Sequence, residues 1–376
     1  MADYAVCNGV ANASLAGCNG VAKANIQAIN GVVTPASGAT NWVVAGDDGH
    51  VFWCGADPTG TWTEYDTVSG AGTPQAFDIA AGKDANGNII YVLSRDATGL
   101  ELQVSSSDVT DGNTWTNVDL GSGDLDQYRI IWCDDGSTSG VWIASGRQTN
   151  DSIYRSTDGA ANWSAVDISG LAGINSRGIQ AMCFGNGVVM MAQDANIYTS
   201  TDYGANWSAS TPFAGNDAPT AARCLTYTNS SFVLIYGRTG EVRARSCADS
   251  DLTDWGNEST MNTDTRNPGG SFDNDKINVA SANGRVAHIT GNDEHCSRFD
   301  VSGKTISNIA MTDLGMNSQR HGEDIETDGI TWLISSRLGD IWRSTDNAAS
   351  WTKIKTDAGG NADHGQAICS NVLLPL

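Results

Sequence analysis

The chain has 376 residues, 40% of them hydrophobic, and a formal net charge of −22. This charge excludes a nucleic-acid binder that works through a basic surface, and it argues against docking on anionic lipid, since both need positive patches. No apolar run reaches 18 residues, so we expect no membrane insertion. The 12 Trp, 9 Tyr and 7 Phe supply core material and argue against disorder.

The N-terminal segment lacks the pattern of a secretory signal. Asp3 stands where a basic region belongs, and Asn and Gly interrupt the apolar stretch that follows. We therefore expect a protein made in the cytoplasm of its host. Cys7 and Cys18 lie in an 11-residue echo, Cys-Asn-Gly-Val-Ala-x-Ala, and the sequence leaves open whether they pair.

A repeat of about 48 residues organises the rest of the chain. Three copies carry a shared Ser-Thr-Asp element followed by Trp, at 156–163, 200–207 and 344–351. Weaker copies end at Trp62, Trp115 and Trp255, and a seventh has Ile306 in the place of Trp. The seven anchors are 44 to 53 residues apart, which is typical of repeat architectures.

Each unit has the same internal order of short strands. An apolar strand such as 141–144 is followed by a tight turn, then by a strand such as 153–156 that leads into the Asp-containing turn and a Trp-led strand. Turn signals every 8–12 residues without helical periodicity predict an all-β fold. Four strands in a unit of this size predict a β-propeller of four-stranded antiparallel blades.

The first strand of a unit begins with Gln-Ala-apolar at residues 27, 75, 180 and 366. Because the last copy lies 11 residues before the end, we predict an eighth, hybrid blade closed by both termini, formed by 1–24 and 362–376. Seven blades with a terminal extension is the alternative. In either case residues 1–376 form a single domain.

The motif Ser-x-Asp-x-Gly-x-x-Trp resembles the Asp-box (BNR) repeat of sialidases, sortilin-type receptors, xyloglucan-active glycoside hydrolases and photosystem assembly factors. Only the copy at 200–207 fits every position; the copies at 156–163 and 344–351 have Ala in place of Gly. The resemblance implies a propeller fold in which this turn lies away from the ligand face.

We assign a structural role to the motif residues. The Asp and Ser side chains can accept backbone N–H groups of the turn, Gly relieves a positive φ, and Trp buries a large surface. The residues concerned are Ser156, Asp158, Trp163, Ser200, Asp202, Gly204, Trp207, Ser344, Asp346 and Trp351.

Six side chains are candidate ligand contacts on the opposite face. Four arginines follow second strands as Ser-Arg or Gly-Arg, and two histidines precede first strands, which predicts a shared rim able to hold an anion. These residues are Arg95, Arg147, Arg238, Arg337, His321 and His364. The alternative for the arginines is a ring of structural salt bridges with acids of the turns.

No catalytic residue, metal site or cofactor is predicted. The chain has no C-x-x-C, phosphate loop or G-x-S-x-G, and it lacks the Arg-Ile-Pro of sialidases, for which Arg129-Ile-Ile is the nearest string. The cysteines recur at equivalent strand positions, which indicates small buried apolar side chains.

Three functions follow from these observations. The acidic composition, rich in Gly, Asn, Ser and Thr and with six Lys, favours a non-enzymatic structural or interaction module. We expect a bacteriophage virion component (tail, neck, fibre attachment or decoration) with other virion or assembly proteins as partners, and host surface glycan is a further candidate partner. The alternatives are a glycan-binding or glycoside-hydrolysing, sialidase-like propeller and an intracellular assembly factor. The alternative locations to the virion are the cytoplasm and the extracellular space.

Overall fold

The fold was examined in a computed structural model. The structure describes these residues: 6–7, 10–11, 17–18, 21–22, 28–29, 32–33, 41–46, 49–67, 75–95, 101–106, 115–120, 126–147, 152–174, 179, 181–213, 221–238, 241–256, 259–263, 277–290, 295–310, 314, 322–336, 338–356 and 365–373. They contain strands and turns and no α-helix, so none of these residues belongs to a helix that could span a membrane.

Seven four-stranded antiparallel sheets form the blades of a β-propeller, which confirms the predicted fold class. We number the blades along the chain and give the strands of each from the innermost outwards. Blade 1 has Gly365–Ser370, Trp42–Gly46, His50–Cys54 and Thr63–Asp66. Blade 2 has Ala76–Lys83, Ile89–Arg95, Leu102–Ser105 and Trp115–Val118. Blade 3 has Asp126–Cys133, Val141–Arg147, Ser152–Ser156 and Ser164–Asp167.

The remaining four blades follow the same order. Blade 4 has Ala181–Gly185, Val188–Gln193, Asn196–Ser200 and Ser208–Ser210. Blade 5 has Ala221–Thr228, Ser231–Arg238, Glu241–Ala248 and Ser259–Thr263. Blade 6 has Ile277–Ala282, Arg285–Thr290, His295–Asp300 and Thr305–Ala310. Blade 7 has Gly322–Thr327, Trp332–Ser336, Ile341–Ser344 and Thr352–Lys355.

Blade 1 is the hybrid blade, and it is one of the seven. The C-terminal strand Gly365–Ser370 pairs with Trp42–Gly46, so the last Gln-Ala-apolar copy supplies the inner strand of this blade. The earlier copy at Ala28–Ile29 instead pairs with Val32–Val33. The predicted eighth blade from residues 1–24 and 362–376 is therefore not confirmed. The physical reason is that a C-terminal inner strand joins the two ends of the ring, whereas the local copy would leave the ring open.

The N-terminal strands form three small hairpins outside the seven blades. Each hairpin is a separate two-stranded sheet. Their strands are Val6–Cys7 with Val10–Ala11, Gly17–Cys18 with Val21–Ala22, and Ala28–Ile29 with Val32–Val33.

The core is divided among the contacts between neighbouring blades. Seven apolar clusters occur among the described residues, one at each junction. At the junction of blades 1 and 7, for example, fully buried Trp42 and nearly buried Ile368 pack with Leu333. Second strands are almost wholly buried because they are covered by a blade on each side, which explains their near-continuous apolar runs.

Candidate functional site: the central channel

The first strands of the seven blades surround a cavity of about 840 Å³. Six of its described lining residues are charged types, including Lys83 and Asp134, and the other four influence one another's pKa values. These four come from blades 2, 3 and 7, of which blades 2 and 7 are the neighbours of blade 1: Asp78, Arg129, Asp324 and Glu326. We call these four residues the channel cluster.

Asp78 and Asp324 hold equivalent positions and make equivalent hydrogen bonds. In both first strands the pairing register shifts just before the Asp. Asp78 Oδ1 accepts the N–H of Ile79 at 3.0 Å, and its Oδ2 accepts the N–H of Ile130 in blade 3 at 2.8 Å.

Asp324 repeats this arrangement at the junction of blade 7 with blade 1. Its Oδ1 accepts the N–H of Ile325 and its Oδ2 that of Ile368, both at 2.8 Å. Each Asp therefore joins its own first strand to the first strand of the next blade.

The pKa values of the three carboxyl groups in the channel cluster are raised. Burial raises the pKa of Asp324 to about 8; the neighbouring Asp78 carboxyl raises it too, and the two N–H groups lower it only in part. Burial likewise raises the pKa of Glu326 to about 8, against a hydrogen bond from the Thr327 N–H. Burial also raises the pKa of Asp78, although the Arg129 guanidinium opposes this. At neutral pH the cluster thus holds protonated carboxyls.

Protonated carboxyls in a cavity can donate a hydrogen bond or a proton to a ligand. The cluster offers no metal centre: among the described residues no group of three or more His, Cys, Asp or Glu side chains could hold an ion. Cys183, Cys224 and Cys369 also line the cavity. The seven cysteines whose side chains the structure describes are buried free thiols, and the side chains of Cys7 and Cys18 are not described. Burial raises the pKa of Cys183 and Cys369 well above the usual thiol value.

Arg95 is not a rim residue, which corrects the prediction for this position. Its side chain is fully buried. The guanidinium donates to the Gly46 carbonyl and to Thr67 Oγ1, each at 3.1 Å, and to Gln103 Oε1. Gly46 ends the second strand of blade 1 and Thr67 follows its fourth strand, so Arg95 links blades 1 and 2. Two of these partners, Gly46 and Thr67, come from the neighbouring blade, and the local Ser-Arg pattern carries no information about them.

The other five predicted contacts are not brought together by the described structure. Arg147 and Arg238 end the second strands of blades 3 and 5, and their side chains are not described. Arg337, His321 and His364 lie outside the described residues.

The Ser-x-Asp turns lie on the opposite face from the ends of these second strands. In blade 4, Ser200 Oγ donates to Asp202 Oδ1 at 2.8 Å and accepts the Gly204 N–H at 2.8 Å. Asp202 also accepts the Asn206 N–H at 2.8 Å, while Trp207 Nε1 donates to the Gly204 carbonyl. The copies in blades 3 and 7 share the Ser and Asp contacts around Asp158 and Asp346.

Each blade has a turn carboxylate on this face, which lies at or just after the end of the third strand in six blades and just after the first strand in blade 2, where it is Asp84. Partial burial alone would raise their pKa values, but hydrogen bonds from the turns outweigh it and hold each pKa below the usual Asp value. The ring consists of Asp57, Asp84, Asp158, Asp202, Asp251, Asp300 and Asp346.

Sequence analysis missed the channel cluster. Its signal was the presence of acidic residues within predicted first strands, as in Phe77-Asp78-Ile79 and Glu323-Asp324-Ile325. The sequence pattern around Arg129 indicates only a partial likeness to the Arg-Ile-Pro motif of sialidases and gives no sign of neighbouring carboxyl groups.

No protein-family model matches the chain, and no curated protein matches it. Among solved structures, it is similar to the β-propeller domain of Cps50 (Swd1) from Myceliophteria thermophila, with a TM-score of 0.52 and 9% identity over 81% of this chain and 92% of that one. A YCF48 structure bound to a D1 peptide matches with a TM-score of 0.47 and 16% identity, over 74% of this chain and 81% of that one. A nidogen/laminin complex matches with a TM-score of 0.46 and 8% identity, over 89% of this chain and 98% of that one. At such identities these similarities concern the fold, and the chain is a seven-bladed β-propeller.

Proposed function

We propose that the protein is a non-enzymatic structural or interaction module, and that it is a component of a bacteriophage virion. The observation that carries the first part is the use of its buried ionisable side chains. Asp78, Asp324 and Arg95 each join two neighbouring blades through hydrogen bonds. Side chains whose hydrogen bonds connect neighbouring blades stabilise the closed propeller.

A catalytic acid or base has to reach the proton that it transfers, within hydrogen-bond distance in a substrate complex. Both oxygens of Asp78 and of Asp324 already accept backbone N–H groups. Moving either carboxyl toward a substrate would leave amide groups in the ring without their acceptors, which costs about 1–3 kcal/mol for each buried group. This supports a structural role for both.

The virion assignment rests on composition and surface charge. The chain has 43 acidic residues, 43 Gly and only 7 Pro, and the ring of seven turn carboxylates remains ionised at neutral pH. A net charge far from zero keeps such a ring soluble before it docks on its neighbours. The expected partners are other virion proteins.

The test is cryo-electron microscopy of the purified particle from the native source, with mass spectrometry of the same preparation. We expect the propeller at a fixed copy number, with one face buried against a neighbour. If the protein is recovered only as free monomers from cells that contain no phage, the virion assignment is wrong.

A glycan-active propeller is the second candidate, because Glu326 has a pKa of about 8 and therefore carries a proton that a general acid would need. We would screen hydrolysis and binding on a broad glycan array with the wild type and with Glu326→Gln. Hydrolysis lost in the variant would favour the enzyme. Absence of both binding and hydrolysis in the wild type would eliminate this candidate.

A further inference from the structure

The inner strand of blade 1 follows blade 7 in the chain, and no hairpin connects it to the other three strands of its own blade. Gly365–Ser370 pairs with Trp42–Gly46 through backbone hydrogen bonds. At its end, the Asn371 N–H donates to the Asn41 carbonyl at 3.0 Å, and Asn371 Oδ1 accepts the Asn41 N–H at 2.7 Å, across 330 residues of sequence. Closure of the ring therefore depends on contacts that can open reversibly.

Carboxyl groups adjoin this strand from both sides. Asp324 accepts the Ile368 N–H, and Glu326 and Asp78 both act electrostatically on the Cys369 thiol of the strand. Blade 7 thus contributes two acids and blade 2 contributes one. Arg129 of blade 3 is the only cation among the residues that influence these acids in the described structure.

A small set of ionisable groups interacts electrostatically with the strand 365–370 or with its neighbouring acids. They come from blade 2, blade 3, blade 7 and the strand itself: Asp78, Tyr91, Arg129, Asp324, Glu326, Asp328 and Cys369. Tyr91 and Cys369 are neutral at ordinary pH, because burial raises the pKa of both. The Arg129 guanidinium acts on Asp78 and Asp324, and the same cavity is also lined by Lys83 and Asp134.

Such a cluster is tolerated in the closed ring only while most of its acids carry protons, because burial and like charges both disfavour the ionised form. Departure of the strand would open one side of the cluster to water. Ionisation and departure of the strand are therefore coupled.

We infer that the C-terminal strand 365–370 is a pH-sensitive latch, closed while the carboxyls of Asp324 and Glu326 are protonated and loosened as they ionise. This inference is independent of the proposed function.

The direction of the effect follows from linkage. The pKa values of Asp324 and Glu326 are raised to about 8 in the closed ring, from ordinary values of 3.8 and 4.5 when exposed. Closure is therefore most favourable below the exposed values and weakens as pH rises to about 8. For each group that ionises only on opening, the opening equilibrium constant rises about tenfold per pH unit in this window.

Hydrogen–deuterium exchange between pH 5 and 9, corrected for the intrinsic pH dependence of exchange, tests the latch. We expect protection of 365–370 to fall at least tenfold between pH 5 and 8, whereas that of the blade 4 inner strand, 181–185, stays level. Glu326→Gln keeps the acceptor for the Thr327 N–H and should flatten this fall. Asp324→Asn is a second variant with the same expectation.

The matched control is Asp202→Asn, which removes a carboxylate of the Ser-x-Asp turn and should leave the fall at 365–370 unchanged. Equal pH profiles for 365–370 and 181–185 in the wild type would overturn the latch. So would a wild-type fall that persists unchanged in both Glu326→Gln and Asp324→Asn.

Discussion

Gly159 of blade 3 lies directly against the backbone of Ala85 in blade 2: a Cβ added to Gly159 would be 2.2 Å from the Ala85 nitrogen. The residue also has a φ of 77°. The turn that carries Asp158 therefore serves a second purpose, because it brings two blades into backbone contact.

Gly159→Ala should destabilise the protein strongly. Gly136 is a matched control, since its φ is 80° but a Cβ there would meet nothing within 4 Å. We expect Gly136→Ala to cost about 1 kcal/mol from backbone strain, and Gly159→Ala to cost a further ~1–3 kcal/mol from overpacking. Urea denaturation of both variants measures the difference. Equal losses would mean that the blades move apart at little cost.

Arg95→Gln should weaken the junction of blades 1 and 2. The variant removes the donors to the Gly46 carbonyl and to Thr67 Oγ1, although Thr67 Oγ1 keeps its contacts with the Gly49 carbonyl and Gln103 Oε1. We expect a loss of about 2–4 kcal/mol in the free energy of unfolding. Arg95→Lys keeps the positive charge but lacks the planar set of guanidinium donors, so it should recover only part of the lost free energy of unfolding. Wild-type stability of Arg95→Gln, measured by urea denaturation, would contradict the linking role.

Removal of residues 365–376 should prevent closure of the ring. Trp42 is fully buried against Ile368 and Leu333, so its fluorescence should shift to the red in the truncated protein. A synthetic peptide of residues 365–376, added in trans, should restore the native emission, and a scrambled peptide should not. An unshifted spectrum in the truncated protein would show that the other six blades hold Trp42 without the strand.

The Ser-x-Asp turns should make the protein sensitive to strong acid. Hydrogen bonds from Asn206 lower the pKa of Asp202 to about 2 in the folded state, and that of Asp346 is also about 2. Because the folded pKa lies below the unfolded one, the stabilisation is present above pH 4 and is lost as pH falls toward 2. Thermal denaturation from pH 6 to 2 should show a smaller decline for Asp202→Asn than for the wild type, although the variant is less stable at pH 6. Parallel declines would contradict this origin of the acid sensitivity.

The blades were predictable because their signals are local. Strand, turn and Trp recur within each unit, so the period around Trp163 and Trp207 defines the unit without knowledge of its neighbours. The closing blade was not predictable in the same way. Ala28 and Ala367 lie in equivalent Gln-Ala-apolar motifs, and only the energetics of the whole ring selects the second.

The candidate site depended on relations between blades and was missed for that reason. A first strand has one side toward the channel, but alternation of residue types does not distinguish a channel from solvent. Asp78 and Asp324 become a pair only when blades 2 and 7 are placed on either side of blade 1. Arg95 was misjudged on the same ground, since its acceptor at Gly46 lies 49 residues away.

The position of the closing strand also sets the order in which the protein can be made. Six blades are translated in full before the ribosome reaches residue 365, whereas the remaining strands of blade 1 emerge first and wait for their partner. During that interval the inner edge of Trp42–Gly46 offers unpaired backbone groups to any other nascent chain. Dense polysomes should therefore favour exchange of this strand between copies, and slow initiation should favour correct closure.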